Sequence, residues 1–185
     1  MAKTESKMVD LGSEATDFFL PEVRNNQKIG LYDVLGGHGL LVMFISRHCP
    51  YVQHIKKQIT ALSNEYLAKG IRIVAISAND VVNYPDDHPK KLAEMAVEED
   101  WKFPLLFDES QDVARSYEAV CTPDFFLYNK AGKLVYRGQM DGSRPNNGVA
   151  NDAKDLRLAM DALIAGHKIT TDQRPSMGCN IKWKD

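Results

Sequence analysis

The chemistry this sequence can offer rests on three cysteines, Cys49, Cys121 and Cys179. They are odd in number and widely spaced, so they make neither a complete disulfide framework nor a close zinc pattern, and at most one intramolecular bridge can form at a time. Cys49 stands apart by its position. The unbroken apolar run Gly39-Leu40-Leu41-Val42-Met43-Phe44-Ile45 stops at Ser46-Arg47-His48-Cys49-Pro50. From Pro50 the pattern turns helical, with Val52, Ile55, Ile59, Leu62 and Tyr66 recurring at steps of three and four. A cysteine at such a junction has helix N–H groups and the positive end of the helix dipole beside its sulfur. Positions of this kind lower a thiol pKa from ~8.5 to about 3.5–7.5, and the thiolate is the nucleophile. Arg47 and His48 would add positive potential, and Pro50 sits in the first turn, where a missing N–H costs nothing. For Cys121 and Cys179 the plain alternative is a small buried core residue.

The elements that must position Cys49 follow from the pattern around it. A run without alternation suits a central strand covered on both faces. Gly70 ends the helix, and Ile71-Arg72-Ile73-Val74-Ala75-Ile76 returns as a second strand, a right-handed parallel crossover. A loop with Asp86, Asp87 and His88 reads as solvated, followed by a helix from Lys90 to about Asp100, a short strand Phe103-Pro104-Leu105-Leu106-Phe107 and a short helix from Gln111 to Tyr117. The strands Asp124 to Tyr128 and Leu134 to Gly138 flank a hairpin-length turn. A last helix runs from about Asp152 to Ala165. Parallel strands first and an antiparallel pair last predict an α/β fold with a mixed central sheet and helices on both faces. Beyond it, Cys179, Ile181 and Trp183 alternate in a stretch carrying Pro175 and Gly178, which predicts an extended tail laid on the body.

Composition narrows the partners. The 185 residues fit one domain over 1–185, with a core of about 10–167 and a tail of 168–185. A formal net charge of −2 leaves no footprint for a nucleic acid. No apolar run follows the lysines of the first residues, and no segment approaches the ~20 apolar residues of a membrane span, so neither export nor a membrane partner is expected. The expected compartment is the cytoplasm, where thiols stay reduced.

The strand, the Cys-Pro-Tyr-Val that opens the helix, and Thr122-Pro123 ahead of a later strand resemble the thioredoxin superfamily. In that family a cis-proline lies against the reactive sulfur, and Pro123 is the matching position. "HCPYVQHI", "CTPDFFLY", "YRGQMDGSRP" and "GCNIKW" together are similar to a peroxiredoxin-like subgroup of the alkyl hydroperoxide reductase and thiol-specific antioxidant redoxins. The resemblance implies a thioredoxin-like fold and a thiol-dependent antioxidant oxidoreductase.

Departures from the family qualify this. Val52 stands where thioredoxins carry a second cysteine. Of the peroxiredoxin Pro-x-x-x-Thr-x-x-Cys and distant arginine, the matching positions are Val42, Ser46 and Thr122, so only a hydroxyl is kept. Arg47, Arg137 or Arg144 would have to supply the missing guanidinium. The main expectation is reduction of hydroperoxides through Cys49, with Ser46 and the helix N-terminus stabilising the thiolate and with Arg47, His48, Pro50, Thr122 and Pro123 in support. Cys179, slightly favoured, or Cys121 would resolve the sulfenic acid. Thioredoxin or a small thiol would supply electrons. The alternatives are a monothiol disulfide reductase or isomerase acting on a disulfide substrate, and a non-catalytic binding module. No cofactor is expected. Nor is a metal, because Gln53 stands where copper-delivering relatives have a second cysteine beside the His48 and His54 pair. Self-association into a homodimer is left open.

Overall fold

The computed structural model describes residues 3–184. In chain order the elements are β1 (Lys3–Glu5), β2 (Phe19–Pro21), β3 (Lys28–Gly30), α1 (Leu31–Val34), β4 (Gly39–Phe44), α2 (Pro50–Ala68), β5 (Ile71–Ser77), a 3-10 turn (Pro85–Asp87), α3 (Pro89–Glu98), β6 (Leu105–Phe107), α4 (Asp112–Ser116), β7 (Cys121–Thr122), β8 (Asp124–Asn129), β9 (Leu134–Gly138), α5 (Lys154–Ile164) and β10 (Met177–Asn180). The central sheet has the order β6-β5-β4-β8-β9, with β4, β5 and β6 parallel and β8 and β9 antiparallel, the mixed sheet that the pattern predicts.

Every residue of β4 is buried because both faces of the sheet are covered. Leu41, Met43, Phe125 and Leu127 face a cluster built with α2, α3 and α5. Leu40, Val42, Phe44, Phe126 and Tyr128 face the second cluster, completed by Phe18, Leu31, Ala114, Tyr117 and Ile181. The helical stripe of α2 buries Val52, Ile55, Ile59, Leu62 and Tyr66, each apolar side chain contributing about 1.5–3 kcal/mol. Gly70 has φ +84°, the left-handed conformation that lets the chain leave the helix for β5.

Two further sheets escaped the sequence pattern. β2 and β3 form a small hairpin, and β1, β10 and β7 form a three-stranded antiparallel sheet in the order β1-β10-β7. The tail is thus paired backbone, with Cys179 opposite Thr122 on one side and Lys3 on the other. Gly178 permits that pairing, since a Cβ there would meet the Thr122 carbonyl oxygen at 1.9 Å. Cys179 joins the cluster that holds Cys49, while Ile181, past the end of the strand, joins the cluster on the other face of the sheet.

At the antiparallel side of the sheet a fully buried ion pair joins Arg137 to Asp124, with Arg137 Nη2 2.8 Å from Asp124 Oδ2 and the guanidinium carbon 3.8 Å from the centre of the Phe126 ring. Removing one partner of such a pair leaves the other charge uncompensated. Arg137→Met should therefore cost about 3–5 kcal/mol in urea unfolding, and pairing it with Asp124→Leu should recover most of that loss. A single-variant loss below ~1 kcal/mol would show that the pair is dispensable.

Candidate functional site

Cys49 is the N-cap of α2, with extended backbone (φ −74°, ψ 120°) and Pro50 directly after it. It lies beyond the carboxyl end of β4, the side of a parallel sheet where crossing connections leave space for a site. Its side chain is 0% exposed, covered by β10. As a thiol it donates to the Thr122 carbonyl at 3.0 Å. As a thiolate it would lose that bond, so its stabilisation comes from elsewhere. The largest influence is the neighbouring Cys179 thiol, and Thr122 and the N–H groups of Val52 and Cys179 add to it against the opposing effect of burial. The Cys49 pKa is lowered to about 6. The same proximity, together with burial, pushes the Cys179 thiol upward, so Cys49 is the member of the pair that ionises first.

All three cysteines are free and buried. Of the two candidates for a second thiol, Cys179 shares a buried cluster with Cys49 and lies in register with Thr122, whose carbonyl accepts from the Cys49 thiol, whereas Cys121 Sγ lies 3.8 Å from the Pro123 carbonyl oxygen and burial raises its pKa. The Thr122-Pro123 bond is cis, and Ser176 Oγ donates to the Pro123 carbonyl at 2.7 Å, fastening the tail to this corner.

Asp87 corrects the reading of its loop as solvated. Asp86 is exposed and pairs with Lys91, but Asp87 is 0% exposed and gathers the whole β4–α2 turn. Its Oδ2 accepts from Ser46 Oγ (2.8 Å), Asn79 Nδ2 (2.7 Å) and His48 Nδ1 (2.6 Å), and its Oδ1 from the N–H groups of Arg47 and His48. Burial opposes the charge, yet these donors, His48 first, hold the carboxyl below its ordinary range. The Asp87 hydrogen bond in turn raises the His48 pKa. Asn79 also accepts from the Lys182 N–H at 2.8 Å, so the same network reaches the tail. Sequence reasoning missed Asp87, Asn79 and Lys182, because nothing in a Tyr-Pro-Asp-Asp-His-Pro loop distinguishes its buried acid from its exposed one.

The expected helpers are accordingly redistributed. The Ser46 hydroxyl serves Asp87 and lies 3.1 Å from His48 Nδ1, not at the sulfur, which corrects its assignment to the thiolate. Arg137 is held by Asp124. Arg144 donates to the Asp141 and Ser143 carbonyls and to Gln139 Oε1, closing its own loop. The Arg47 backbone, through its N–H, is what reaches the Asp87 network.

Residues 11–137 match the model of the AhpC/TSA family. The thiol-disulfide oxidoreductase ResA of Bacillus thuringiensis subsp. konkukian is 25% identical over 132 residues, 71% of each chain. The crystal structure of an uncharacterized conserved protein from Geobacillus kaustophilus superposes with a TM-score of 0.98 at 43% identity, covering 100% of this chain and 97% of that one. A putative thiol:disulfide interchange protein DsbE from Chlorobium tepidum shares the fold, with a TM-score of 0.65 at 23% identity over 85% of this chain and 99% of that one. The fold is thioredoxin-like, as the motifs imply.

Alkylation of Cys49 by iodoacetamide should follow the thiolate, rising with pH about a midpoint near 6. In Cys179→Ala the largest influence is gone, and the midpoint should move up toward the free-thiol value of ~8.5. An unchanged midpoint would show that Cys179 does not set the Cys49 charge.

Proposed function

The chain belongs to the AhpC/TSA family, and on that premise we propose that it is a thiol-disulfide oxidoreductase in which Cys49 opens a substrate disulfide and Cys179 completes the exchange. The observation that carries this reading is the placement of Cys179 in register with Thr122, the residue whose carbonyl accepts from the Cys49 thiol, beside a sulfur of depressed pKa. The Cys49 thiolate attacks one sulfur of the substrate, forming a mixed disulfide and releasing the first substrate thiol. Cys179, once deprotonated, attacks Cys49 and releases the second. Two electrons pass to the substrate, and the Cys49–Cys179 disulfide then awaits an external thiol reductant, thioredoxin or a small thiol.

At the coarser level the chain is a thiol-dependent oxidoreductase of the thioredoxin superfamily. Between its two possible substrates, the hydroperoxide gives way to the disulfide. Orienting a peroxide calls for donors aimed at the reacting oxygen, and Ser46, Arg137 and Arg144 have their donors directed at Asp87, Asp124 and loop carbonyls. The relationship to ResA supports the same choice.

Reduction of a disulfide-bonded protein by the enzyme with dithiothreitol should fall about a hundredfold or more in Cys49→Ser. Cys179→Ser should accumulate a mixed disulfide with the substrate, and Cys121→Ser should stay within about twofold of wild type. Unchanged turnover in Cys49→Ser would sink the proposal. Hydrogen peroxide consumption by the reduced protein at a rate above its disulfide exchange would restore the peroxidatic reading.

A further inference from the structure

We propose that His48 is the proton carrier of the exchange, with Asp87 as the positioning residue that fixes its tautomer; this rests on the thiol-disulfide reading above. Disulfide exchange has two proton problems. The first leaving thiolate must be protonated, and Cys179, whose proton is held by Cys49 and by burial, must be deprotonated before it can attack.

The geometry around His48 leaves one ring nitrogen uncommitted for both tasks. Its Nδ1 lies 2.6 Å from Asp87 Oδ2 and acts as the donor, because that carboxylate is fully buried and already surrounded by the Ser46, Asn79 and backbone donors. With Nδ1–H so fixed, proton exchange is left to Nε2. Nε2 is buried and has no hydrogen-bond partner. The ring is clamped by stacking on Tyr84, centroids 5.5 Å apart and 14° from parallel, and Cys49 is the next residue in the chain.

The other charged groups about the ring do not compete for the role. Lys182, on the tail, lies with its Nζ 5.6 Å from the centre of the Tyr84 ring, and that ammonium is tied to the Asn180 carbonyl and side chain. Asp86 is paired with Lys91. Asp87 and the Cys49 thiolate favour the imidazolium, and the Lys182 charge opposes it. In the proposed cycle His48 starts as an imidazolium and Cys49 as a thiolate.

The protons balance. The Cys49 thiolate attacks, and the imidazolium gives its proton to the first leaving thiolate. Neutral His48 then takes the Cys179 proton, Cys179 attacks Cys49, and the regenerated imidazolium protonates the second leaving thiolate. Two substrate thiols and one Cys49–Cys179 disulfide result, and His48 ends neutral.

The test exploits the leaving group. Full-length reduced protein is mixed with 2,2′-dithiodipyridine, whose leaving group needs no protonation by the enzyme, and with bis(2-hydroxyethyl) disulfide, whose aliphatic thiolate does. His48→Gln should slow attack on the aliphatic disulfide about tenfold or more while leaving attack on dithiodipyridine within about threefold. Closure of the Cys49–Cys179 bond should slow with both probes and lose its neutral-pH inflection. His48→Asn, which can still donate to Asp87, should behave alike and provides the measurement if the glutamine disturbs the turn. Equal slowing of the initial attack with both probes, or a pH profile of closure unchanged from wild type, would overturn the proposal and leave His48 a structural part of the turn. Failure of the wild-type protein to react with either probe would instead overturn the disulfide reading on which it stands.

Discussion

Gly178 lies so close to the Thr122 carbonyl that no side chain fits between them, and the pairing of two thiols depends on this approach. It lets β10 run beside β7, which puts Cys179 in register with Thr122, and Thr122 is the residue whose carbonyl faces Cys49. A short strand pair between remote segments is a weak fastening by itself. Here it is supported on both flanks. β1 pairs with the outer edge of β10, and Ser6 and Ser176 exchange hydrogen bonds. Past the strand, the Lys182 carbonyl accepts from Asp80 N–H and Gln111 Nε2, and Trp183 stacks under Arg115 with the guanidinium carbon 4.4 Å from the ring centre. The reactive sulfur is therefore enclosed, and its reactivity is governed by the tail as much as by the helix it begins.

Two buried carboxylates organise the rest, and they do so differently. Asp124 is held by a guanidinium, a partner of opposite charge in equal burial, with the Phe125 N–H donating beside it. Asp87 is held by hydroxyl, amide, imidazole and backbone donors, which is how a buried charge is made tolerable without a permanent counter-ion. The first arrangement is static. The second contains a titratable partner, and that partner adjoins the nucleophile. Asn79, bonded to both Asp87 and the Lys182 N–H, links the docked tail to the charged turn.

The sheet and its crossover were legible in the sequence because β4 and β5 carry unbroken apolar runs and α2 a clean helical stripe, patterns that depend only on local burial. The alternation of Cys179, Ile181 and Trp183 likewise marked a tail resting on the body. Its partners were not legible. Lys3–Glu5 is three polar residues long, and its strand exists only because β10 lies beside it. The same holds for Asp87, whose burial is decided by a turn folding across the end of β4 and not by its own neighbours in sequence. The motif position of Ser46 points its hydroxyl to the sulfur, whereas in the folded chain the buried Asp87 carboxylate takes it as a charge-assisted acceptor.

The central claim is that Cys49 and Cys179 form one two-electron couple. Equilibrating the protein across dithiothreitol redox buffers, quenching with an alkylating reagent and reading intact mass with peptide mapping tests it directly. The account predicts a single transition in which Cys49 and Cys179 lose reactivity together while Cys121 remains a thiol throughout. A transition that consumes Cys121, or that leaves Cys179 free while Cys49 is oxidised, would contradict it.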